Sequence, residues 1–129
     1  SVLKGTGAKV ETGVAGETIT AGQVLYKDAS DSNKFKKADC DSVTSAARTI
    51  HGIALNGAAA GQSVVVQTSG QITIGATVAV GTVYCLSVVA GGIRPIADNG
   101  TGDFVSLLGV AISTTVINLA INNSGVSVP

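Results

Sequence analysis

The stretch Gly16-Glu-Thr-Ile-Thr-Ala-Gly22-Gln-Val24 decides the fold of this 129-residue chain, because its pattern occurs twice. The second copy is Gly75-Ala-Thr-Val-Ala-Val-Gly81-Thr-Val83. It has glycine, threonine, a β-branched residue, a second glycine and valine in the same order and at the same internal spacing. The pair Ala38-Asp39 returns at the same offset as Ala97-Asp98. A pattern that keeps both its order and its spacing predicts a structural unit that is present twice.

Further matches extend this unit toward the C-terminus. His51-Gly-Ile-Ala54 is matched by Leu108-Gly-Val-Ala111, and Ser69-Gly70 is matched by Ser124-Gly125, each at a slightly smaller offset than the block before it. Short deletions in loops would produce the shrinking offset. Two copies predict one domain with pseudo-twofold symmetry and halves at 16–70 and 75–125, because a solenoid needs three or more units. The alternative is chance similarity within a sequence rich in Gly, Val and Thr.

Strand signals dominate the chain from residue 16 onward. Short runs of β-branched residues alternate with turn formers such as Gly, Asn, Asp and Ser. The best helix candidate, 41–48, is barely two turns long and is equally compatible with a loop or a 3₁₀ turn. About ten short strands predict a single all-β domain over 16–129, a small barrel or sandwich built from the two repeats. The predicted strands are 23–26, 34–37, 50–55, 63–68, 71–74, 78–80, 83–88, 93–96, 105–112 and 116–121, with a turn at 122–125.

The charged residues are few and unevenly distributed. Hydrophobic residues make up 45% of the chain, charged residues make up 12%, and the formal net charge is zero. Such a chain lacks the basic surface with which proteins bind nucleic acid or anionic membranes, so neither is an expected partner. Thirteen of the sixteen charged residues lie between Lys4 and Arg48, which leaves 49–93 and 104–129 without Asp, Glu, Lys or Arg. These neutral tracts predict a surface covered by copies of the chain or by a larger partner, the alternative being a coat of Ser, Thr and Asn.

From the sequence we expect neither a membrane span nor a signal peptide. The longest uncharged apolar stretch, 77–93, is interrupted by Gly81, Gly91 and Gly92 and alternates in the manner of strands. The first residues, Ser1-Val-Leu-Lys4, lack the basic region and the apolar core of a secretion signal.

Residues 1–15 contain only isolated apolar side chains among Gly, Thr and Lys. A segment of this composition predicts an extended N-terminal arm that is mobile in the free protein and orders on a partner by strand addition. In that contact the apolar residues would act as anchors and the charged residues as a polar rim. The candidate contact residues are Val2, Leu3, Lys4, Lys9, Val10, Glu11 and Val14.

Few residues in the sequence are suited to catalysis. His51 is the only histidine, and its counterpart in the repeat is the apolar Leu108, which favours a packed or interface histidine over a catalytic base. A Cys–His pair with Cys40 or Cys85 has no supporting flanking sequence. The two cysteines permit one disulfide, but two reduced thiols are the favoured interpretation because the cysteines do not match in the repeat.

Two sets of acidic residues have a spacing that could suit a site. Asp39 and Asp98 follow strands at equivalent positions, where aspartate commonly accepts hydrogen bonds from loop amides. Asp28, Asp31 and Asn33 have a spacing that resembles a calcium loop, but the late glutamate of such a loop is missing. We therefore expect structural roles and no metal.

Lys27 follows a strand, as the modified lysine of a biotinyl or lipoyl carrier does, but it stands in Tyr26-Lys27-Asp28 with no further carrier signature. The segment Gly5-Thr-Gly7 lacks the Lys-Ser/Thr and the helix of a phosphate-binding loop. The sequence therefore predicts a protein that is not an enzyme and needs no cofactor.

The order of sequence blocks resembles that of the head-decoration, or capsid cement, proteins of tailed bacteriophages. In the first half the resemblance rests on Gly16-Glu-Thr-Ile-Thr-Ala-Gly-Gln-Val-Leu-Tyr26, Lys34-Phe-Lys-Lys-Ala38, Gly52-Ile-Ala54, Ala58-Ala-Ala-Gly61-Gln62 and Val64-Val-Val-Gln-Thr-Ser-Gly70. In the second half it rests on Gly81-Thr-Val-Tyr-Cys-Leu-Ser87, Gly91-Gly-Ile-Arg-Pro95 and Leu108-Gly-Val-Ala111.

The resemblance implies a small β domain that binds the outside of a filled capsid and stabilises it across subunit boundaries. Its partners would be the major capsid protein and copies of itself, with a trimer favoured. It would be made in the host cytoplasm and reside on the virion exterior. The alternative function is a receptor-binding or fibre module of a phage particle, which exposed aromatic loop clusters would favour; the chain has only two Tyr and two Phe.

Overall fold

The computed structural model describes residues 2–40, 42 and 45–128. It confirms an all-β fold: a strongly curled antiparallel sheet forms a half-barrel. The remaining regular structure consists of the 3₁₀ turns Ala29–Asp31, Ser45–Arg48 and Ile96–Asp98. The strands are β1 (Leu3–Lys4), β2 (Lys9–Val14), β3 (Val24–Asp28), β4 (Lys34–Lys37), β5 (Gly52–Ala54), β6 (Ser63–Thr73), β7 (Val83–Leu86), β8 (Ile93–Pro95), β9 (Phe104–Ala111) and β10 (Val116–Ser127).

The strand order contains the same arrangement twice. The sheet runs β4-β3-β5-β6-β10-β9-β7-β8, so the first four strands correspond to the last four read from the opposite end. Pairing of β6 with β10 joins the halves, from Thr73 opposite Val116 to Gly70 opposite Leu119. This is the order expected for two copies of one unit related by a pseudo-twofold axis, as the repeat predicts.

The two copies of the glycine motif form equivalent turns. The Gly22 N–H donates to the Ala54 carbonyl at 2.8 Å, and the Gly81 N–H donates to the Ala111 carbonyl at 2.8 Å. The two acceptors are themselves counterparts in the repeat. Both glycines have positive φ, +93° and +79°, a region that glycine adopts without the steric cost that a side chain brings.

The composition of residues 1–15 predicts an arm without packed contacts. In the structure, strands β1 and β2 of this segment are instead paired with β6. Strand β1 pairs with Ile72 and Thr73 of β6, and β2 pairs with β6 between Ser63 and Ser69. The physical reason is that β6 presents a row of backbone N–H and carbonyl groups along its edge, and β1 and β2 form hydrogen bonds with them.

Strand β2 is the first strand of the repeated unit. Ala15, which follows β2, donates its N–H to the Gln62 carbonyl at 2.9 Å. Ile74 follows Ala15 by the same number of residues as Gly75 follows Gly16, so it is the counterpart of Ala15 in the second unit. Its N–H donates to the Thr115 carbonyl at 2.9 Å. In the second unit, residues 70–73 of β6 therefore take the place that β2 takes in the first. The unit begins near residue 9, which corrects the boundary placed at 16.

Two groups of buried side chains form the core. The first lies within the first half around Phe35, which is fully buried, and the second spans both halves. The first group is Ala15, Ile19, Leu25, Phe35, Ala54, Ala58, Val64 and Val66. The second includes Val24, Cys40, Ile53, Ile72, Ile74, Tyr84, Leu86, Leu108, Ala111, Ile117 and Leu119.

Several strand boundaries differ from the sequence-based prediction. The predicted strands 63–68 and 71–74 form one eleven-residue strand, β6, which bends at Gly70 where φ is +87°. Residues 78–80 are not in a strand. The turn predicted at 122–125 lies inside β10, which accommodates it with irregular register and a positive φ at Gly125. Of the segment 41–48, residues 45–48 form a 3₁₀ turn; Asp41, Val43 and Thr44 lie outside the described residues.

The repeat also predicts that Val24 and Val83 are both buried, and this holds only for Val24. The Val24 N–H donates to the Gly91 carbonyl at 2.9 Å, so the β7–β8 hairpin of the second half covers this position. Val83 is half-buried, and its cross-strand partner Val110 is 40% exposed. In the first unit, the face that carries Val24 therefore packs against the second half of the molecule. In the second unit, the corresponding face, which carries Val83, lies on the outer surface.

Candidate interaction surface

Strands β1 and β2 carry exposed apolar side chains. Successive residues of a strand point to opposite faces, so Val10 and Val14 lie on one face of β2 and Glu11 on the other. Val10 is 47% exposed, Val14 41% and Leu3, in β1, 59%. We call the five exposed candidate residues of β1 and β2 the arm face, whichever side of the strand they lie on: Leu3, Lys4, Lys9, Val10 and Val14.

Two of the seven candidate contact residues are not part of the arm face. Val2 packs against the larger core group beside Gly22, where an added Cβ atom would lie 3.1 Å from a Val2 methyl carbon. Glu11 points toward the domain, where one carboxylate oxygen lies 2.8 Å from Nε2 of His51 and the other binds the Lys27 ammonium.

Glu11, Lys27 and His51 form a polar cluster over the ring of Phe35. The Lys27 ammonium lies 5.4 Å from the Phe35 centroid, and the His51 ring lies 5.3 Å from it. Hydrogen bonds from Lys27 and then from His51 lower the pKa of the Glu11 carboxyl. The cluster ties β2 to β3 and to the segment before β5. His51 therefore packs and bonds at a strand edge, the role favoured by its repeat position.

Lys27 does not occupy a carrier position. It lies within β3 opposite Phe35, whereas the hairpin tip is formed by residues 29–33. Its ammonium is already bound to Glu11.

A lysine occupies the loop that resembles a calcium site in sequence. The Lys36 ammonium lies 2.9 Å from an Asp28 oxygen and 3.0 Å from an Asp31 oxygen. The hydrogen bond from Lys36, with a second from the Ser30 hydroxyl, lowers the pKa of Asp28 to about 2. Across the described part of the chain, no group of three or more His, Cys, Asp or Glu residues is arranged to hold a metal ion.

Arg94 organises the buried polar groups of the second half. Its guanidinium lies 2.6 Å from Asp103 and also donates to Asn99 at 2.9 Å. Both cysteines are buried thiols outside any disulfide. The Arg94 guanidinium donates to the Cys40 sulfur, and the Cys85 thiol donates to the Arg94 backbone carbonyl, each at 3.5 Å. Burial raises the pKa of the Cys85 thiol.

The acidic residues Asp39 and Asp98 occupy different local structures. Asp98 ends the 3₁₀ turn Ile96–Asp98, and Asp39 donates its backbone N–H to the Ala47 carbonyl at 2.7 Å. Their repeat equivalence therefore does not extend to local conformation.

A cavity of about 330 Å³, which no sequence pattern indicated, lies between the 3₁₀ turn Ser45–Arg48 and residues of β9 and β10. The Arg48 guanidinium carbon lies 3.6 Å from the centroid of the Phe104 ring, and both residues line the cavity. In the sequence, Arg48 stands out only as the last charged residue before the neutral tract 49–93, which does not indicate a cavity.

The second unit exposes a neutral apolar face. Val83 stands opposite Val110 on β9, and Val110 stands opposite Asn118 on β10, so the three form one row across three strands. Two further exposed apolar residues, Val80 at 61% and Ile112 at 46%, lie near this row in the chain. We call Val80, Val83, Val110 and Ile112 the neutral face.

The chain was compared with models of known protein families and with curated proteins. No model of a known protein family matches it, and no curated protein matches it either. Within the described residues, no helix has the length and apolar character needed to cross a membrane.

Proposed function

We propose that this protein decorates the outer surface of a tailed-bacteriophage capsid and stabilises it across boundaries between capsid subunits. The observation that carries the proposal is the arm face: three exposed apolar side chains, Leu3, Val10 and Val14, flanked by two exposed lysines. Exposed apolar side chains grouped with polar neighbours are typical of protein interaction sites. The resemblance of the sequence blocks to capsid cement proteins supplies the identity of the partner.

The expected mode of action is additional contact area rather than chemistry. Burial of apolar surface contributes about 25 cal/mol per Å², so a contact over the arm face would contribute a few kcal/mol per copy. A decorated shell carries many copies, and contacts that bridge neighbouring subunits act together through effective concentration. This mechanism would oppose internal pressure without a catalytic residue.

Self-association is part of the proposal, and the repeat supports it. In the first unit, Val24 and Ile53 are fully buried where the second half packs against the first. Their counterparts Val83 and Val110 belong to the neutral face, which carries no charged side chain. We propose that another copy covers this face. In the proposed trimer this contact would join different surfaces of neighbouring copies and close after three copies.

The experiment compares capsid binding by matched surface variants. The double variant Val10→Ser/Val14→Ser should bind undecorated particles at least tenfold more weakly than the original protein in a co-sedimentation assay. Val89→Ser is the control, because Val89 is 67% exposed but lies in the β7–β8 turn. Equal binding by the double variant and the original would refute a role for the arm face, and absence of binding by the original protein would refute the function itself.

A further inference from the structure

We propose that the cavity beside Arg48 and Phe104 binds a carboxylate side chain of a partner protein. The cavity has a volume of about 330 Å³, enough for one amino-acid side chain with its hydration, and it opens between the two halves of the molecule. Its lining residues are Ser45, Ala46, Arg48, Thr49, Phe104, Ser106, Asn123 and Gly125.

Three polar side chains of the lining, those of Thr49, Ser106 and Asn123, are engaged within the protein. The Ser106 hydroxyl donates to the Arg48 carbonyl at 2.5 Å. The Asn123 side chain accepts from the Ile50 N–H at 2.7 Å and donates to the Ile50 carbonyl at 3.0 Å. The Thr49 hydroxyl donates to the Ser45 carbonyl at 3.5 Å. These bonds hold the wall in place and leave the guanidinium as the charged group of the lining that is available to a ligand.

The described residues hold the Arg48 guanidinium in place, but none of them supplies a negative charge that pairs with it. It stacks on the Phe104 ring at 3.6 Å and makes one long hydrogen bond, 3.5 Å, to the Ser42 carbonyl. No carboxylate in 2–40, 42 or 45–128 forms an ion pair with it. Stacking on an aromatic ring leaves the N–H groups at the edge of the guanidinium plane free to donate.

The chemistry of this site favours a carboxylate over other anions. A guanidinium offers two parallel N–H donors that match the two oxygens of one carboxylate and balance its single charge. Arg48 is the only charged residue that lines the cavity in the described part of the chain, so a phosphate dianion would remain under-neutralised. Phe104 and Ala46 provide an apolar wall for the methylene groups of an Asp or Glu side chain. This inference goes beyond capsid decoration and does not depend on it.

The test is an NMR titration of the full chain with blocked amino acids. N-acetylglutamate methylamide should shift the amide signals of Phe104, Ser106 and Gly125 with a dissociation constant on the order of millimolar, the strength of one solvent-accessible ion pair with modest apolar contact. The isosteric probe N-acetylglutamine methylamide should bind at least tenfold more weakly. Inorganic phosphate should also bind more weakly than the glutamate probe.

Variants assign the interaction to the guanidinium. Arg48→Gln should abolish the shifts, and Arg48→Lys should weaken binding at least fivefold because it keeps the charge but loses the planar donor pair. Lys9→Gln is the matched control, since it removes the same charge from the arm face, and it should bind as the original does. Should Arg48→Gln fail to fold, Arg48→Lys still decides the point. Absence of shifts in the original protein, equal binding of the glutamine probe, tighter binding of phosphate, or unchanged binding by Arg48→Lys would each overturn the proposal.

Discussion

Gly7 and Gly70 lie back to back where β6 changes partners. A Cβ atom on Gly70 would overlap the carbonyl group of Gly7 and would lie 2.6 Å from the amide nitrogen of Ala8. Both glycines have positive φ, +73° and +87°. Before Gly70, β6 pairs with β2 and β5; after it, β6 pairs with β1 and β10. The bend of β6 therefore requires a matching bend between β1 and β2.

The first prediction concerns this contact. Gly70→Ala should lower the free energy of unfolding by about 2–4 kcal/mol, because it combines an unfavourable positive φ with an overlap against backbone that cannot move aside. Gly61→Ala is the matched control: Gly61 has φ +88°, and an added Cβ atom there would meet nothing within 4 Å. This variant therefore measures the cost of the positive φ alone. Denaturant unfolding of both variants provides the measurement. Equal losses would show that the Gly7–Gly70 approach is unimportant.

The second prediction concerns truncation. A chain without residues 1–8 should fold with a lower melting temperature, because it loses β1 and the Val2 contact but keeps β2. A chain without residues 1–15 should lose cooperative unfolding, because it also loses β2 and the fully buried Ala15. This reverses the expectation, drawn from composition, that the domain folds without the segment. Thermal unfolding followed by circular dichroism distinguishes the two, and a cooperatively folded 16–129 chain of undiminished stability would contradict the assignment of β2.

The third prediction concerns acid stability. Lys36 holds the pKa of folded Asp28 at about 2, against an ordinary value of 3.8. A lowered pKa in the folded state contributes stability above the ordinary pKa, and that contribution disappears as pH falls from about 4 to about 2. Asp28→Asn should therefore flatten the loss of stability in this range. Asp98→Asn, which removes a carboxylate without an ion pair among the described residues, is the control. Parallel pH profiles for Asp28→Asn and the original protein would rule out this contribution.

The all-β class and the duplication could be predicted from the sequence because both depend on local patterns. Glycines needed at positive φ, such as Gly22 and Gly81, recur at fixed spacing and remain visible in one sequence. The first strand of the unit was not visible, because β2 and residues 70–73 of β6 share backbone pairing rather than side-chain identity. Backbone hydrogen bonds accept almost any residue, so composition alone made β2 resemble a free arm.

The candidate site could be predicted only in part for the same reason. Alternation in β2 places Val10 and Val14 on one exposed side of the strand, but no local pattern indicates that Glu11 turns inward to His51 and Lys27, which lie far away in the chain. The cavity at Arg48 was missed because it forms only when the Ser45–Arg48 turn packs against β9 and β10. Its members Arg48, Phe104 and Asn123 are distant in sequence and share no motif.

Cryo-electron microscopy of phage particles assembled with and without this chain tests the proposed function most directly. We predict density for the half-barrel on the outside of the capsid, at boundaries between capsid subunits, with the arm face against the shell. That density should be absent from particles assembled without the chain, and those particles should release their genome at a lower temperature. Particles with no external density that depends on this chain, or with that density only on the tail, would contradict the account.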